Sequence, residues 1–167
     1  VCTIGDNTAV GAESMAATTT GTYNTAVGKN SLNANTTGAR NVALGFASLG
    51  ANTTGLYNIG IGFEALDANT TASGNTSIGY NSMGANTTGA ANVAMGFNAL
   101  DANTTAGSNV AIGYSAMSAN TTGADNVAIG TETMLANTTG AGNTAVGAAA
   151  GDAITTGASH TLMGKSS

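Results

Sequence analysis

The chain has 167 residues, of which 7% are charged and 4% aromatic, with 25 glycines and neither proline nor tryptophan. Its formal net charge of −5 includes only three basic residues (Lys29, Arg40 and Lys165), too few for the electrostatic surface that nucleic-acid binding requires. An apolar content of 42% argues against disorder, and no apolar run approaches the roughly 18 residues of a membrane span.

Val1 to Gly5 resemble a truncated strand that precedes Asp6. The chain starts without methionine and in mid-pattern, so we expect it to be part of a longer protein. Its single cysteine, Cys2, excludes an internal disulfide and is predicted to be a small buried apolar residue beside Val1 and Ile4.

From Asn7 onward the chain repeats one 17-residue unit without insertion or deletion. Full units start at residues 7, 24, 41, 58, 75, 92, 109, 126 and 143, and residues 1–6 and 160–167 are partial units. We number the places of each unit from 1 to 17. The sequence therefore predicts a single repeat domain over residues 1–167.

Each unit begins with a strand signal. In the unit of residues 109–125, Val110, Ile112 and Tyr114 alternate with alanine and glycine, which is typical of a strand with one bulky and one small face. We expect the bulky residues and Met117 to be buried, and the small face to pack against other chains. Because a 17-residue coil encloses little volume, this arrangement favours an oligomer.

The rest of the unit predicts a second short strand around residues 116–119, and then a turn at residues 120–123. A helix is the competing interpretation of the Ala-Met stretch, but the turn signals leave it fewer than six residues. We therefore predict two strands per unit.

Some places never vary along the full units. Place 5 is always glycine, which indicates a positive φ or close backbone contact, and places 13 and 14 are always threonine. An array without phase slip implies that equivalent residues stack about 4.8 Å apart, so nine coils would span roughly 45 Å. The sequence predicts an all-β, parallel β-solenoid with asparagine columns at places 1 and 12 and threonine columns beside the latter.

The last units depart from this pattern. Residues 148–152 replace the aromatic and Leu/Met places, and His160 takes an asparagine place. His160 is the only histidine, and we interpret it as a stacking substitution rather than a catalytic base. It and Cys2 lie at opposite ends of the expected rod, too far apart for nucleophilic catalysis.

Two nucleotide-binding motifs nearly occur. Residues 60–65 (GIGFEA) fit the glycine spacing of a dinucleotide loop, but they stay in register with the repeat and no adequate helix follows. Residues 164–166 (GKS) resemble the end of a phosphate-binding loop, but the earlier glycine place is Ser159. We predict that neither motif binds a nucleotide.

No metal or modification site is predicted either. Asp67 and Asp101 share place 10 but lie two coils apart, roughly 10 Å, too far to bind one ion directly. Seven Asn-Thr-Thr triplets are formal N-glycosylation acceptors, at Asn35, Asn52, Asn69, Asn86, Asn103, Asn120 and Asn137. We interpret them as turns with a stacked polar ladder, since the repeat dictates their spacing.

The NVAIG motif at residues 109–113 and 126–130 resembles the repeated motif in head domains of trimeric autotransporter adhesins. The longer combination of NTAVG, a leucine and ANTTG in residues 24–38 resembles repeats of phage tail fibres. These resemblances cover nearly all of the chain, although adhesin coils are usually shorter than 17 residues. They imply a left-handed, homotrimeric β-roll that serves attachment or spacing, with no catalytic residues to transfer.

We therefore expect a non-enzymatic fibre segment of a phage tail or bacterial surface adhesin, located on a virion, at a cell surface or otherwise outside the cell. No catalytic, cofactor or metal residue is predicted. The expected partners are further copies of the chain and a cell-surface glycan or protein receptor. Arg40, Leu56, Tyr57 and Glu64 are predicted to lie outside and to tune that contact. The alternatives are a self-assembling filament or surface layer, and a weaker one is ice binding through threonine columns.

Overall fold

The computed structural model describes residues 5–167. Within this range ten three-residue strands pair side by side, in chain order, into one parallel sheet. They are β1 (Thr8–Val10), β2 (Thr25–Val27), β3 (Val42–Leu44), β4 (Ile59–Ile61), β5 (Thr76–Ile78), β6 (Val93–Met95), β7 (Val110–Ile112), β8 (Val127–Ile129), β9 (Thr144–Val146) and β10 (Thr161–Met163).

Each strand pairs with its equivalent 17 residues further on. Val93 of β6 pairs with Val110 of β7, and the same offset holds at all nine strand interfaces. Each unit therefore climbs one rung of the sheet. The predicted parallel β-solenoid of about nine coils is confirmed, and no helix occurs in residues 5–167.

The prediction of a second strand around residues 116–119 is wrong. Ser115 and Met117 have φ angles of 50° and 52°, and left-handed residues at alternate places curl the chain instead of extending it. The backbone still pairs with the next coil, because the N–H of Met117 donates to the carbonyl oxygen of Thr133 at 3.0 Å. The coil thus keeps inter-coil hydrogen bonds where it has no strand geometry.

The orientation of the strand is the reverse of the one predicted. Ala111 is fully buried, whereas Val110 and Ile112 are only half-buried and Tyr114 is 52% exposed. Met117 is buried in the same apolar cluster as Ala111. Because a large side chain at place 9 already fills the narrow coil, only a small residue fits inside the strand. The bulky face therefore points outward.

The core is a column of large side chains at place 9, stacked beside the small residues of places 3 and 8. All eight are at most 3% exposed: Met15, Leu32, Leu49, Leu66, Met83, Leu100, Met117 and Met134. Burial of one such side chain contributes roughly 1.5–3 kcal/mol. This column is the main apolar contribution to the stability of the single chain.

The invariant glycine of place 5 has the special geometry that the sequence predicts. Gly96 has a φ of 142°, and a Cβ atom there would collide with the carbonyl oxygen of Gly113 in the next coil. The equivalent glycine of each neighbouring coil has the same relationship. These glycines let successive backbones approach closely where the strand ends.

The last full unit rearranges its core. Gly151 takes the Leu/Met place, and Leu162, Ile154 and Met134 occupy the freed space, each about 3.2 Å from where a Cβ of Gly151 would lie. Because Ile154 replaces the asparagine of place 12, the Oδ1 atom of Asn137 is buried without a hydrogen-bond partner. The asparagine ladder of place 12 therefore ends in the coil of β8, two strands before the sheet ends at β10.

Candidate functional surfaces

The asparagines of place 12 form a buried ladder, as predicted. The side-chain amide of Asn52 donates to the Oδ1 atom of Asn35 in the previous coil at 3.0 Å and to the carbonyl oxygen of Gly55 at 3.2 Å. Each of the seven Asn-Thr-Thr asparagines is fully buried. Since an acceptor amide must be accessible, the folded chain offers no glycosylation site in these triplets, and the ladder interpretation is confirmed.

The asparagines of place 1 form a second ladder with a different pattern. The backbone N–H of Asn109 donates to the Oδ1 atom of Asn92 at 2.9 Å, and its side-chain amide donates to the carbonyl oxygen of Gly123 at 2.9 Å. His160 continues this ladder, because its backbone N–H donates to the Oδ1 atom of Asn143 at 2.9 Å. The backbone of His160 therefore keeps the register of place 1, while its side chain is exposed, and its interpretation as a stacking substitution stays a prediction.

The two threonine columns differ in exposure. The hydroxyl of Thr87, at place 13, donates to the carbonyl oxygen of Thr104 at 3.0 Å and is half-buried. Thr88, at place 14, is exposed, as are its equivalents in all nine units. Only one column of hydroxyl groups is therefore free to meet solvent.

An outer apolar stripe runs along the solenoid beside the strands. We define it as the apolar residues of place 4 and the aromatic residues of place 6 in the middle coils: Val27, Leu44, Ile61, Ile78, Met95, Ile112 and Ile129, with Phe46, Phe63, Tyr80, Phe97 and Tyr114. The residues of place 4 are half-buried or up to 39% exposed, and the rings are 39–52% exposed.

The five rings of the stripe stack on one another. Their centroids are 5.0 to 5.5 Å apart and their planes differ by only 6° to 14°. Such pairs contribute about 0.5–1.5 kcal/mol beyond burial. The stripe runs over seven coils, about 30 Å along the solenoid, and a contiguous exposed apolar patch of this kind is often functional.

A second exposed ladder lies at place 17. The Cζ atom of Arg40 is 5.5 Å from the ring centroid of Tyr23 and 5.4 Å from that of Tyr57, and its Nη1 atom donates to the Tyr57 hydroxyl at 3.1 Å. Both tyrosines are 55% exposed. We call these three residues the Tyr-Arg-Tyr ladder. It places a guanidinium between two exposed aromatic rings.

Of the four residues predicted to decorate the outside, Arg40, Leu56 and Tyr57 are exposed, whereas Glu64 is half-buried. Sequence reasoning missed Tyr23 as a partner of Arg40. The signal was present, because the three ladder residues follow one another at intervals of 17.

The acidic residues do not assemble into a metal site within residues 5–167, where no group of three metal-ligating side chains occurs. Burial raises the pKa of the Asp67 carboxyl above its ordinary value, and the nearby Glu64 raises it further. Burial likewise raises the pKa of Asp101, whose Oδ1 atom has no hydrogen-bond partner. Both groups therefore favour the protonated state more than a solvated aspartate does.

The nucleotide-like motifs lie in repeat geometry. Gly60 sits inside β4 and is followed by turns, and Gly164 follows β10 in the same way. Cys2 lies outside the residues that the structure describes. Residues 5–167 contain no enclosed pocket. They also contain no helix with the length and apolar character needed to cross a membrane.

Comparison with family models, with curated proteins and with solved structures gave no match for this chain.

Proposed function

We propose that the chain is a structural or adhesive segment of an extracellular fibre, on a phage tail or a bacterial surface, in which three copies pack side by side. The outer apolar stripe carries this proposal. A single chain leaves seven apolar side chains of place 4 and five stacked rings facing solvent along one line. Association of further copies along that line removes them from water.

The internal ladders support a spacing role. The fully buried Asn35 and Asn52 bond to each other and to backbone, so their side chains are used in holding coils together. A molecule built this way is a rod whose length grows with the number of units. The resemblance of NVAIG and ANTTG to adhesin heads and tail fibres supports the location outside the cell, the threefold assembly and a left-handed coil.

Solution mass tests the proposal. Light scattering of the purified chain should give about three times its mass of 15.9 kDa. Met95→Lys places a charge in the stripe and should reduce the mass to that of one chain, because burying an unpaired ammonium is costly. Thr88→Lys, on the exposed threonine column, is the matched control and should leave the mass unchanged. A stable monomer of the unmodified chain at micromolar concentration would contradict the proposal.

The exposed threonines of place 14 support a second, weaker candidate, ice binding, because they form one regular column of hydroxyl groups. The hydroxyls of place 13 are engaged with backbone carbonyls, as for Thr87 and Thr104, so a two-column ice-matching face is not formed. Thermal hysteresis measured at millimolar protein tests this candidate. Electron microscopy tests the remaining alternative, since open filaments instead of discrete rods would favour a surface-layer protein.

A further inference from the structure

The Tyr-Arg-Tyr ladder stops at an open gap. In the coil after Tyr57, place 17 is Gly74, and a Cβ atom built there would have only the Cα atom of Ala91 near it, at 4.0 Å. Arg40 covers one face of the Tyr57 ring. The other face therefore borders a slot one rung high, about 4.8 Å, to which Gly74 contributes no side chain.

We propose that this surface binds an acidic saccharide. One sugar ring lies in the slot on the free face of Tyr57, and the carboxylate of a neighbouring sugar unit passes the edge of that ring and pairs with Arg40. The inference rests on the proposed fibre function and names the ligand class of its receptor contact. A pyranose ring stacked on Tyr57 would take the place of the next ladder member. Its partly positive C–H bonds would face the negative face of the aromatic ring.

The charge of the site selects an anion. The guanidinium of Arg40 has five N–H donors, and within residues 5–167 it donates one hydrogen bond, to the Tyr57 hydroxyl. No acidic side chain pairs with it in residues 5–167. Arg40 is exposed, and the edge of a guanidinium matches a carboxylate in bidentate geometry. The chain as a whole has a net charge of −5 and only three basic residues, so the positive charge of Arg40 is a local exception to an acidic molecule.

The shape of the site favours a polysaccharide over a small metabolite. Small molecules are usually held in enclosed clefts, and none exists in the described part of the chain. A shallow contact of one ring and one carboxylate is weak, and parallel copies on a fibre raise its effective strength through multivalency. A surface polysaccharide presents many identical sugar units to such an array.

Calorimetric titration with a galacturonic acid tetramer tests the proposal, with a neutral galactose tetramer as the comparison ligand. The acidic tetramer should bind with a Kd of about 1 mM, and the neutral one at least about tenfold more weakly. Arg40→Gln and Gly74→Tyr should each weaken acidic binding at least about tenfold, since the first removes the charge and the second fills the slot. Gly74→Tyr fits the fold, because Tyr23 and Tyr57 hold φ angles of 60° and 59° at the same place.

Gly142→Tyr is the matched control, because Gly142 occupies place 17, has a φ of 67° and also has room for a side chain. It should bind the acidic tetramer as the unmodified chain does. No saturable binding up to about 10 mM, equal binding of both tetramers, or equal loss in both glycine variants would overturn the proposal. The proposal would also be overturned if the Tyr-Arg-Tyr ladder contacts a second copy of the chain. In that case Arg40→Gln would lose the oligomer, and the unmodified chain would bind no saccharide.

Light scattering of the same samples separates the two proposals. An oligomer that binds no acidic saccharide leaves the fibre function intact and removes the ligand site. A monomer that binds the acidic tetramer through Arg40 leaves the ligand site intact and removes the threefold fibre.

Discussion

The side-chain amide of Asn103 donates a hydrogen bond to the Oδ1 atom of Asn86 in the preceding coil at 2.8 Å, and both residues are fully buried. Asn103 also donates to Ala106 and accepts from Asn120, so every polar atom of its side chain is used. The ladder joins residues that are 17 positions apart in the sequence and one rung apart in space. Its side chains have no contact with water.

Asn103→Ala should therefore destabilise the chain by about 3 kcal/mol, because it leaves the Oδ1 atom of Asn86 and an amide hydrogen of Asn120 buried without partners. Thr105→Ala, two residues away on the exposed column, should change stability by no more than about 0.5 kcal/mol. Chemical denaturation followed by circular dichroism measures both. Equal stability of the two variants would show that the ladder contributes nothing.

The glycine of place 5 should be irreplaceable, unlike the glycine of place 17. Gly96→Ala should destabilise the chain by about 3 kcal/mol or more, because its Cβ would collide with the backbone of Gly113 at a φ of 142°. Gly74→Ala should cost no more than about 1 kcal/mol, since Ala91 has the same place and a φ of 58°. Thermal unfolding of the two variants checks this difference, and a similar fall in Tm for both would contradict it.

The core column should be sensitive to truncation. Leu100→Ala removes a fully buried side chain and should destabilise the chain by about 2–5 kcal/mol through lost burial and an internal cavity. Leu56→Ala, at a residue that is 36% exposed, should cost less than about 1 kcal/mol. Urea denaturation measures the two free energies of unfolding. A smaller effect at Leu100 than at Leu56 would refute the assignment of the core.

Acidic pH should favour the fold through two aspartates. Because the folded-state pKa values of Asp67 and Asp101 are raised above the ordinary 3.8, the folded chain holds these protons more tightly than the unfolded chain. Their contribution is full below that value and is lost as the pH rises through the folded-state pKa values. As the pH rises from about 3 to about 6, the double variant Asp67→Asn/Asp101→Asn should therefore lose less stability than the unmodified chain.

The asparagine substitution suits the site, because Asn33 occupies the same place. Asp125→Asn, at an exposed acid, serves as the control and should follow the pH dependence of the unmodified chain. Thermal unfolding at several pH values gives the three curves. A double variant whose curve matches the unmodified chain would contradict the role of burial.

The architecture could be predicted from the sequence because the repeat is exact in length. Asparagine at places 1 and 12 and glycine at place 5 each demand a specific neighbour in the next coil, and all agree on an offset of 17 residues. The direction of the strand could not be predicted in this way. It depends on left-handed backbone at bulky residues such as Leu100 and Met117, with φ angles of 55° and 52°, which residue type alone does not indicate.

The surface was only partly predictable for a related reason. Arg40 and Tyr57 are variable residues in a regular array, so their exposure was expected. The contact between their side chains requires that place 17 points outward in successive coils. This orientation follows from left-handed backbone at that place, since Arg40 has a φ of 58°. Once the register is known, the 17-residue spacing identifies Tyr23 as the third member and Gly74 as the gap.

Distances between spin labels along one column test most directly whether each unit climbs one rung. Labels on cysteines introduced at the exposed Thr20 and at Thr88, Thr122 or Thr156 span four, six and eight coils, with Cys2 replaced and labelled chains diluted in unlabelled ones. Pulsed electron paramagnetic resonance should give backbone separations of about 19, 29 and 38 Å, a linear increase of about 4.8 Å per coil. Distances that do not grow in proportion to the number of units would contradict the stacked solenoid and the fibre function built on it.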